Sequence, residues 1–575
     1  MELTLIAAVG VVAIVAVAAV SRRISVAVPL GLVLVGIVLS FLPGVPEIEV
    51  DPKWILAGAL PPLLYAAAVR IPAQDFRRDF KAITGLAVLL VFITTICSGF
   101  LFNAVIPGLG LASALALGAI ISPTDAVAAT SVGRRLGLPS RLLTILEGEG
   151  LVNDASSLVL LGSAVAATTA TVHLWKIGAE FLYAVTVAIV VGLVVGYADV
   201  RIRALLNDPV LSTAVSFVVP FLAWVPAEAL DASGVLAAVV TGLVTGHLSP
   251  RFLSARDRLA ERVNWQTVGF LLESGIFLLM GLELKTLVDQ DAAAGLSVAQ
   301  AVWIALVAAV LVVALRMIFI VPLVAALRYD AARAASIQPE LEKMRNRIGD
   351  PDPRHRFTAR RTQRAARRIA RKKGDIDFLV EESFGWRGGV VLAWSGMRGV
   401  VTVAAAQSLP NSIPYRPQVV LIAFVVAGTT LLTQGLTLPR VIRALKIPGD
   451  DAAADRAEYG KLINELFGKA AAVLENPALS QPDGRPYDDA VLYRVRDDLE
   501  VQVSYADPLA PATVSARKQY RQLMLQILAA ERAELLAARS AGSFTSRTLT
   551  RAQHALDLQE AAFQRFLDLA DPDSG

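Results

Sequence analysis

The stretch "LEGEGLVNDASS" (Leu146–Ser157) decides how this chain is read. It sets Glu147, Glu149 and Asp154 into an otherwise apolar helix, between Arg141-Leu-Leu-Thr-Ile and Leu158-Val-Leu-Leu-Gly. A charge at the centre of a bilayer costs at least about 2.5–3.5 kcal/mol, so such acids need either partners or a task. Gly150 and Asp154 are four apart and share a helix face, and Glu147 falls on the same side. Glu149 and Asn153 lie on the neighbouring face. Counted from Arg141, Asp154 lies roughly 20 Å along the helix axis. That depth is near mid-membrane, beyond snorkelling distance of the interface.

The composition agrees with a membrane setting. Of 575 residues 55% are hydrophobic, and the mean hydropathy is +0.58, above the usual range of soluble domains. The lone cysteine, Cys97, excludes an intramolecular disulfide and a cysteine-built metal site. The start, Met1-Glu-Leu-Thr-Leu, has no basic leader and no small-residue cleavage site, and is read as a retained first helix.

A spanning helix needs about 20 apolar residues. Thirteen such segments are expected, centred on 3–20, 24–42, 53–69, 82–106, 109–131, 141–168, 177–199, 208–226, 233–247, 265–284, 298–327, 386–408 and 417–440. The predicted class is therefore an all-α polytopic membrane protein. Basic residues follow every odd segment: Arg22 and Arg23 after the first, Arg70, Arg77, Arg78 and Lys81 after the third, Arg201 and Arg203 after the seventh. Loops after even segments, such as "PGVPEIEVDP" and "TTATVH", are poor in them. Basic loops face the cytoplasm, so the N-terminus is expected outside and the C-terminus inside. The expected organisation is segments 1–11 over 1–328, a basic cytoplasmic insertion over 329–384, segments 12–13 over 385–446, and a helical cytosolic tail over 447–575.

Two segments are interrupted. The fifth, "ASALALGAIISPTDAVAATSV", carries Pro123, which removes a backbone donor, amid Ser122, Thr124 and Asp125. The twelfth, "GGVVLAWSGMRGVVTVAAAQ", has Gly396 and Gly399 around Met397 and Arg398. Seven is an odd offset, so the two cross the membrane in opposite directions, as an inverted repeat requires. Paired broken helices point to an ion site in transporters.

Buried charge must then be shared out. Arg398 and Arg316 (in "LVVALRMIFIVP") are buried cations; Glu149 and Glu273 (in "FLLESGIFLLMGL") are buried anions. The expected pairs are Glu149 with Arg398 and Glu273 with Arg316, with an exchange of partners left open. Asp154 is the acid left over. Loss of water favours the protonated form of a carboxylate, while its oxygens suit a hard cation. Asn153, Thr124 and Ser122 offer further oxygens, so Asp154 and Thr124 are the candidate cation ligands. Asp125 either braces the half-helix after Pro123 or touches the ion. A carboxylate that holds a proton or a cation in turn couples the two fluxes: the chemistry of a cation/proton antiporter.

"SPTDAVA", "EGEGLVNDASS", "ESGIFLLMGL" and "WSGMRGVVTVAAAQSLP" together resemble the signatures of the monovalent cation:proton antiporter-1 family, over residues 1–445. That resemblance implies crossed broken helices, an elevator-like movement, a homodimer in the cell membrane, and an ion-binding pair at Asn153 and Asp154 beside Thr124 and Asp125. It also implies that Arg398 partners Glu149, and that Na⁺ exchanges for H⁺ one for one without net charge. Potassium/proton exchange by the same mechanism is the alternative; a membrane sensor or enzyme lacks motif support. The third segment, "PPLLYAAAVRI", has Ala66 to Ala68 where many bacterial relatives carry an acid. No cofactor and no nucleic-acid partner are expected. The arginine run at 354–373 is either a solvated face or a contact for anionic lipid, and the four histidines are scattered.

Overall fold

The computed structural model describes residues 2–349 except 25–26, 43–50, 52, 169–173, 207 and 286–296, and residues 385–449 except Asn411. It further describes 369, 372–373, 375–376, 378–379, 453, 468, 470–476, 479–481, 484–506, 527 and 530–531. His173, His355, His554, most of the arginine run and the last 44 residues lie outside these. Two compact units result, Met1–Gly449 and Asp450–Gly575.

The described residues are helical throughout, with no strand among them. In chain order the helices are α1 (Glu2–Ile24), α2 (Val28–Ser40), α3 (Leu60–Arg70), α4 (Ala73–Arg78), α5 (Phe80–Thr84), α6 (Val91–Val105), α7 (Leu111–Ile121) and α8 (Ala126–Arg135). They continue as α9 (Ser140–Ala166), α10 (Leu174–Leu206), α11 (Pro209–Ala229), α12 (Gly234–Phe252), α13 (Ala255–Leu282), α14 (Val298–Gly349), α15 (Trp386–Trp394), α16 (Val400–Gln407), α17 (Arg416–Leu445) and α18 (Asp489–Ala506). A π-helical turn precedes α3, and another joins α5 to α6.

A helix lies over each of the thirteen apolar segments, and the fifth and twelfth are each two half-helices. Eight described helices are long and apolar enough to cross a bilayer, and Ala8–Ser21, Val28–Ser40 and Trp54–Arg70 are shorter apolar helices. One boundary differs in kind: α14 runs on to Gly349, so the first part of the basic insertion continues the eleventh segment's helix. Hydropathy marks where apolar residues stop, not where the backbone ladder stops.

Helices in lipid associate through close packing of small residues, and this chain uses glycines for it. Gly36 of α2 sits against Gly281 of α13, and Gly192 and Gly196 of α10 against Val240 and Val244 of α12. The largest hydrophobic core gathers α1, α2, α5–α9, the end of α13 and α14–α17; a second gathers α3, α10–α12 and Leu151 and Ala155 of α9, with a small cluster of Tyr65, Ala66, Val219 and Trp265 beside it.

Candidate ion site at the crossing of two broken helices

Each broken helix exposes peptide groups that a continuous helix would satisfy. Pro123 ends α7 at Ile121, and Asp125 caps α8, its carboxylate accepting from Val127 N at 2.8 Å. Asp125 N donates to Met397 O at 2.6 Å, joining the two breaks backbone to backbone. Gly399 lets them touch: a side-chain carbon there would sit 2.6 Å from the Asp125 Cβ.

The ends are matched in sign. A helix C-terminus carries partial negative charge and an N-terminus partial positive charge. Arg398 donates from Nε to Ile121 O (3.1 Å) at the C-terminus of α7, and from Nη1 to Gly396 O (2.5 Å) just past α15. Arg316 donates from Nε to Leu392 O (2.9 Å), inside the last turn of α15. The carboxylate of Asp125 stands where α8 and α16 begin.

Neither expected ion pair forms: Glu149 takes the other arginine, and Glu273 takes none among the described residues. Arg316, not Arg398, binds Glu149, through Nη1–Oε1 and through Nη2–Oε2 at 2.8 Å. The physical reason is Gly396: its missing side chain leaves room for the Arg316 stem, which reaches past the break to α9. Arg398 is spent on carbonyls. Glu273 has no ion pair within 4 Å among the described residues and lines the cavity instead.

From Glu149 the network runs to the break. Thr124 Oγ1 donates to Glu149 Oε1 at 2.6 Å, and Asn153 Nδ2 donates to Thr124 O and to Thr124 Oγ1, both at 2.9 Å. Asn153 is thereby held, while its Oδ1 is buried with no partner. A buried, unsatisfied oxygen costs about 1–3 kcal/mol and is a ready ligand for a cation. Ser122, expected in the oxygen shell, turns away: its hydroxyl donates to Ala119 O at 2.8 Å, and it does not line the cavity.

The cavity has a volume of about 400 Å³. Thr124, Asp125, Gly150 and Asp154 line one wall, and Arg70 of α3 and Glu273 of α13 line another. Gly150 faces Ala126, where a side-chain carbon would come within 2.9 Å of its Cβ, so the glycine brings α9 onto the break. Glu147 lies at the same cavity, paired with Arg134. Four lining carboxylates against two guanidiniums give a negative field. The Asp154 carboxylate has no hydrogen bond or ion pair among the described residues, although the residue is only 7% exposed. It is a carboxylate on the wall of a mainly apolar cavity, next to the fixed Arg316–Glu149–Thr124–Asn153 network.

Sequence reading missed Arg70. It ends "PPLLYAAAVR" and was counted with the loop cations, yet its Nη2 donates to Trp265 O at 3.2 Å and it lines the cavity. It also missed a second buried cluster of Asp199, Arg203 and Glu261. Asp199 and Arg203, four apart near the end of an apolar helix, were the available signal.

Known proteins bear on this geometry in three ways. An uncharacterized Na⁺/H⁺ exchanger, YjcE, of Escherichia coli (strain K12) is 28% identical over 561 residues, 93% of each chain. The low-affinity Na⁺/H⁺ antiporter NhaS1 of Synechocystis is 29% identical over 447 residues, 77% of this chain and 74% of that one. Among solved structures, the sodium proton antiporter MjNhaP1 from Methanocaldococcus jannaschii superposes with a TM-score of 0.55 at 17% identity, covering 77% of this chain and 99% of that one; it shares the fold. The family described as "Sodium/hydrogen exchanger, transmembrane" matches residues 10–444, a range that contains both broken helices and every residue of the crossing. This multi-pass membrane chain therefore belongs to the sodium/hydrogen exchanger family.

Proposed function

We propose that the chain is a secondary-active antiporter that exchanges Na⁺ for H⁺ by competition at Asp154. The observation that carries this is the contrast on α9: Glu149 is neutralised by Arg316, while Asp154 faces the cavity without a fixed partner. A proton or a cation supplies the missing positive charge, and the two cannot share the carboxylate. Asn153 Oδ1, buried and unpartnered, is the second oxygen offered to the ion. Thr124 and Asp125 orient the pair: Thr124 holds the Asn153 amide and Asp125 holds the two breaks together. Ser122 closes the end of α7.

With Asn153 rather than an acid before Asp154, one carboxylate carries the exchange, and the stoichiometry is one cation per proton without net charge. Alternating access moves the group around the crossing, α6–α9 with α14–α17, against α3 and α10–α13. The protein works as a homodimer in the cell membrane with the N-terminus outside and the tail in the cytoplasm. A cavity lined by α3 and α13 on one wall and by the crossing on another, and the names of the relatives, support this reading.

Inside-out vesicles from an antiporter-deficient host provide the test. Added Na⁺ or Li⁺ collapses an imposed pH gradient with the wild type and not with Asp154→Ala. Collapse by K⁺ alone would overturn the cation assignment, and a rate that follows an imposed membrane potential would overturn electroneutrality.

A further inference from the structure

A second set of buried charges lies outside the crossing, where α3 and α10–α13 meet. Arg203 of α10 donates to Glu261 of α13 from Nη1 (3.0 Å) and Nη2 (2.8 Å), and from Nε to Ser212 of α11 (3.1 Å). Glu261 thus takes the fork of the guanidinium. Asp199, one turn before Arg203, receives only a long contact of 3.4 Å from Nη1 to Oδ2, plus a hydrogen bond of 3.1 Å from Thr245 Oγ1 of α12. One guanidinium faces two carboxylates, so the cluster carries one negative charge too many.

Two polar atoms here have no partner: Asp199 Oδ1 and the hydroxyl of Tyr65 on α3. Asp199 is 4% exposed and Tyr65 is fully buried. Tyr65 lies beside Thr245, the donor to Asp199, within electrostatic range of Asp199, Glu261 and Arg203. Among the described residues, α11 contributes Ser212, Thr213 and Ser216 to these contacts and α12 contributes Thr245. A bare carboxylate is not kept in such a place without a compensating positive charge or a hydrogen-bond donor.

We propose that Asp199 is a second proton-binding site, separate from Asp154, whose proton sits on the unpartnered Oδ1, near the Tyr65 hydroxyl. One proton balances the charge of the cluster. The site has a path to the ion cavity. The Tyr65 ring packs on Trp265 with centroids 5.1 Å apart, Trp265 O accepts from Arg70, and Arg70 lines the cavity. Losing the proton places a full negative charge at the far end of that path, against the Arg203–Glu261 pair of α13, a helix that lines the cavity. The inference stands whether or not the ion at Asp154 is Na⁺.

Infrared spectroscopy of the full chain in liposomes tests it. At neutral pH the wild type shows the C=O stretch of a protonated carboxyl that Asp199→Asn loses and Asp154→Asn retains. Tyr65→Phe, which removes only the hydroxyl, shifts that band to higher frequency, and it carries the test if Asp199→Asn does not fold. In exchange assays Asp199→Asn keeps its maximal rate and flattens the alkaline limb of the pH profile. A carboxyl band unchanged in both Asp199→Asn and Tyr65→Phe overturns the site. An alkaline limb identical to the wild type overturns its link to the cavity.

Discussion

Two clusters in this protein use the same parts and leave different residues over. At the crossing, Arg316 is held by Glu149 and Asp154 is left without a cation. Among α3 and α10–α13, Arg203 is held by Glu261 and Asp199 is left with a long contact. Each has a guanidinium held by a bidentate glutamate and a spare aspartate; the crossing adds Arg398, which is spent on carbonyls. The difference is access. Asp154 faces a cavity of about 400 Å³, whereas Asp199 is buried and lines no part of it. A carboxylate on the cavity can trade a proton for a cation; one off it can gain or lose only a proton. Charge count alone therefore does not make a transport site.

The largest effect that separates the clusters is on exchange itself. Asp154→Asn drops cation-driven collapse of the pH gradient to background, while Asp199→Asn retains turnover. Comparable losses in both variants, at equal expression, would erase the distinction between the acid on the cavity and the acid off it.

The arginines are expected to behave alike in stability and unlike in function. Arg316→Met and Arg203→Met each leave a buried carboxylate uncompensated, which costs about 3–5 kcal/mol. Thermal unfolding in detergent reads this directly. Pairing Arg316→Met with Glu149→Gln restores most of the lost stability, because the orphaned charge is gone. An additive double variant would show that Glu149 has another partner.

The next effect is local. Gly399→Ala pushes a methyl group into the Asp125 side chain, whose backbone holds Met397. Overpacking of this kind costs about 1–3 kcal/mol, and exchange falls because the two breaks separate. The helix after Gly399 has no positive backbone angle to defend, so the whole loss comes from contact. Wild-type melting and exchange in this variant would show that the breaks have room to spare.

Much of this was legible in the chain. Hydropathy placed a helix at every segment, Pro123 and the pair Gly396 and Gly399 located both breaks, and helical depth set Asp154 apart from Glu147. What periodicity could not supply was the neighbour. Glu149 and Arg316 are 167 residues apart, and a single helix wheel does not say which other helix its face meets. Arg70 and Arg203 were missed for another reason. A basic residue at the end of an apolar run looks the same whether it turns out to water or in to a carboxylate. Gly396 shows the subtler limit: it was read as a helix breaker, and it is also the space through which Arg316 passes.

The smallest expected effect lies outside the membrane, where the last part of the basic insertion meets the helix ends. Arg77 and Arg78 bind Asp375 at 2.8 and 3.0 Å, Arg78 and Arg141 lie over the Phe378 ring, and Ile376 packs with Ala334. Partial desolvation pushes the Asp375 carboxyl up, but hydrogen bonds from Arg78 and Arg77 outweigh it and hold the group below its ordinary value. A depressed carboxylate contributes stability above its unfolded value, about 3.9, and loses it as pH falls through the folded one. The pair is largely solvated, so its worth is about 0.2–1 kcal/mol and falls with salt. Hydrogen exchange at residues 375–379 reads it. Asp375→Asn raises the opening there by at most about fivefold at neutral pH and low salt, and the difference from wild type shrinks in acid or in high salt. In contrast to Arg316, the contact is partly open to water, and that solvation is why removing it costs so little. A variant that opened this segment by orders of magnitude would mean that the arginines clamp a folded element and not an exposed acid.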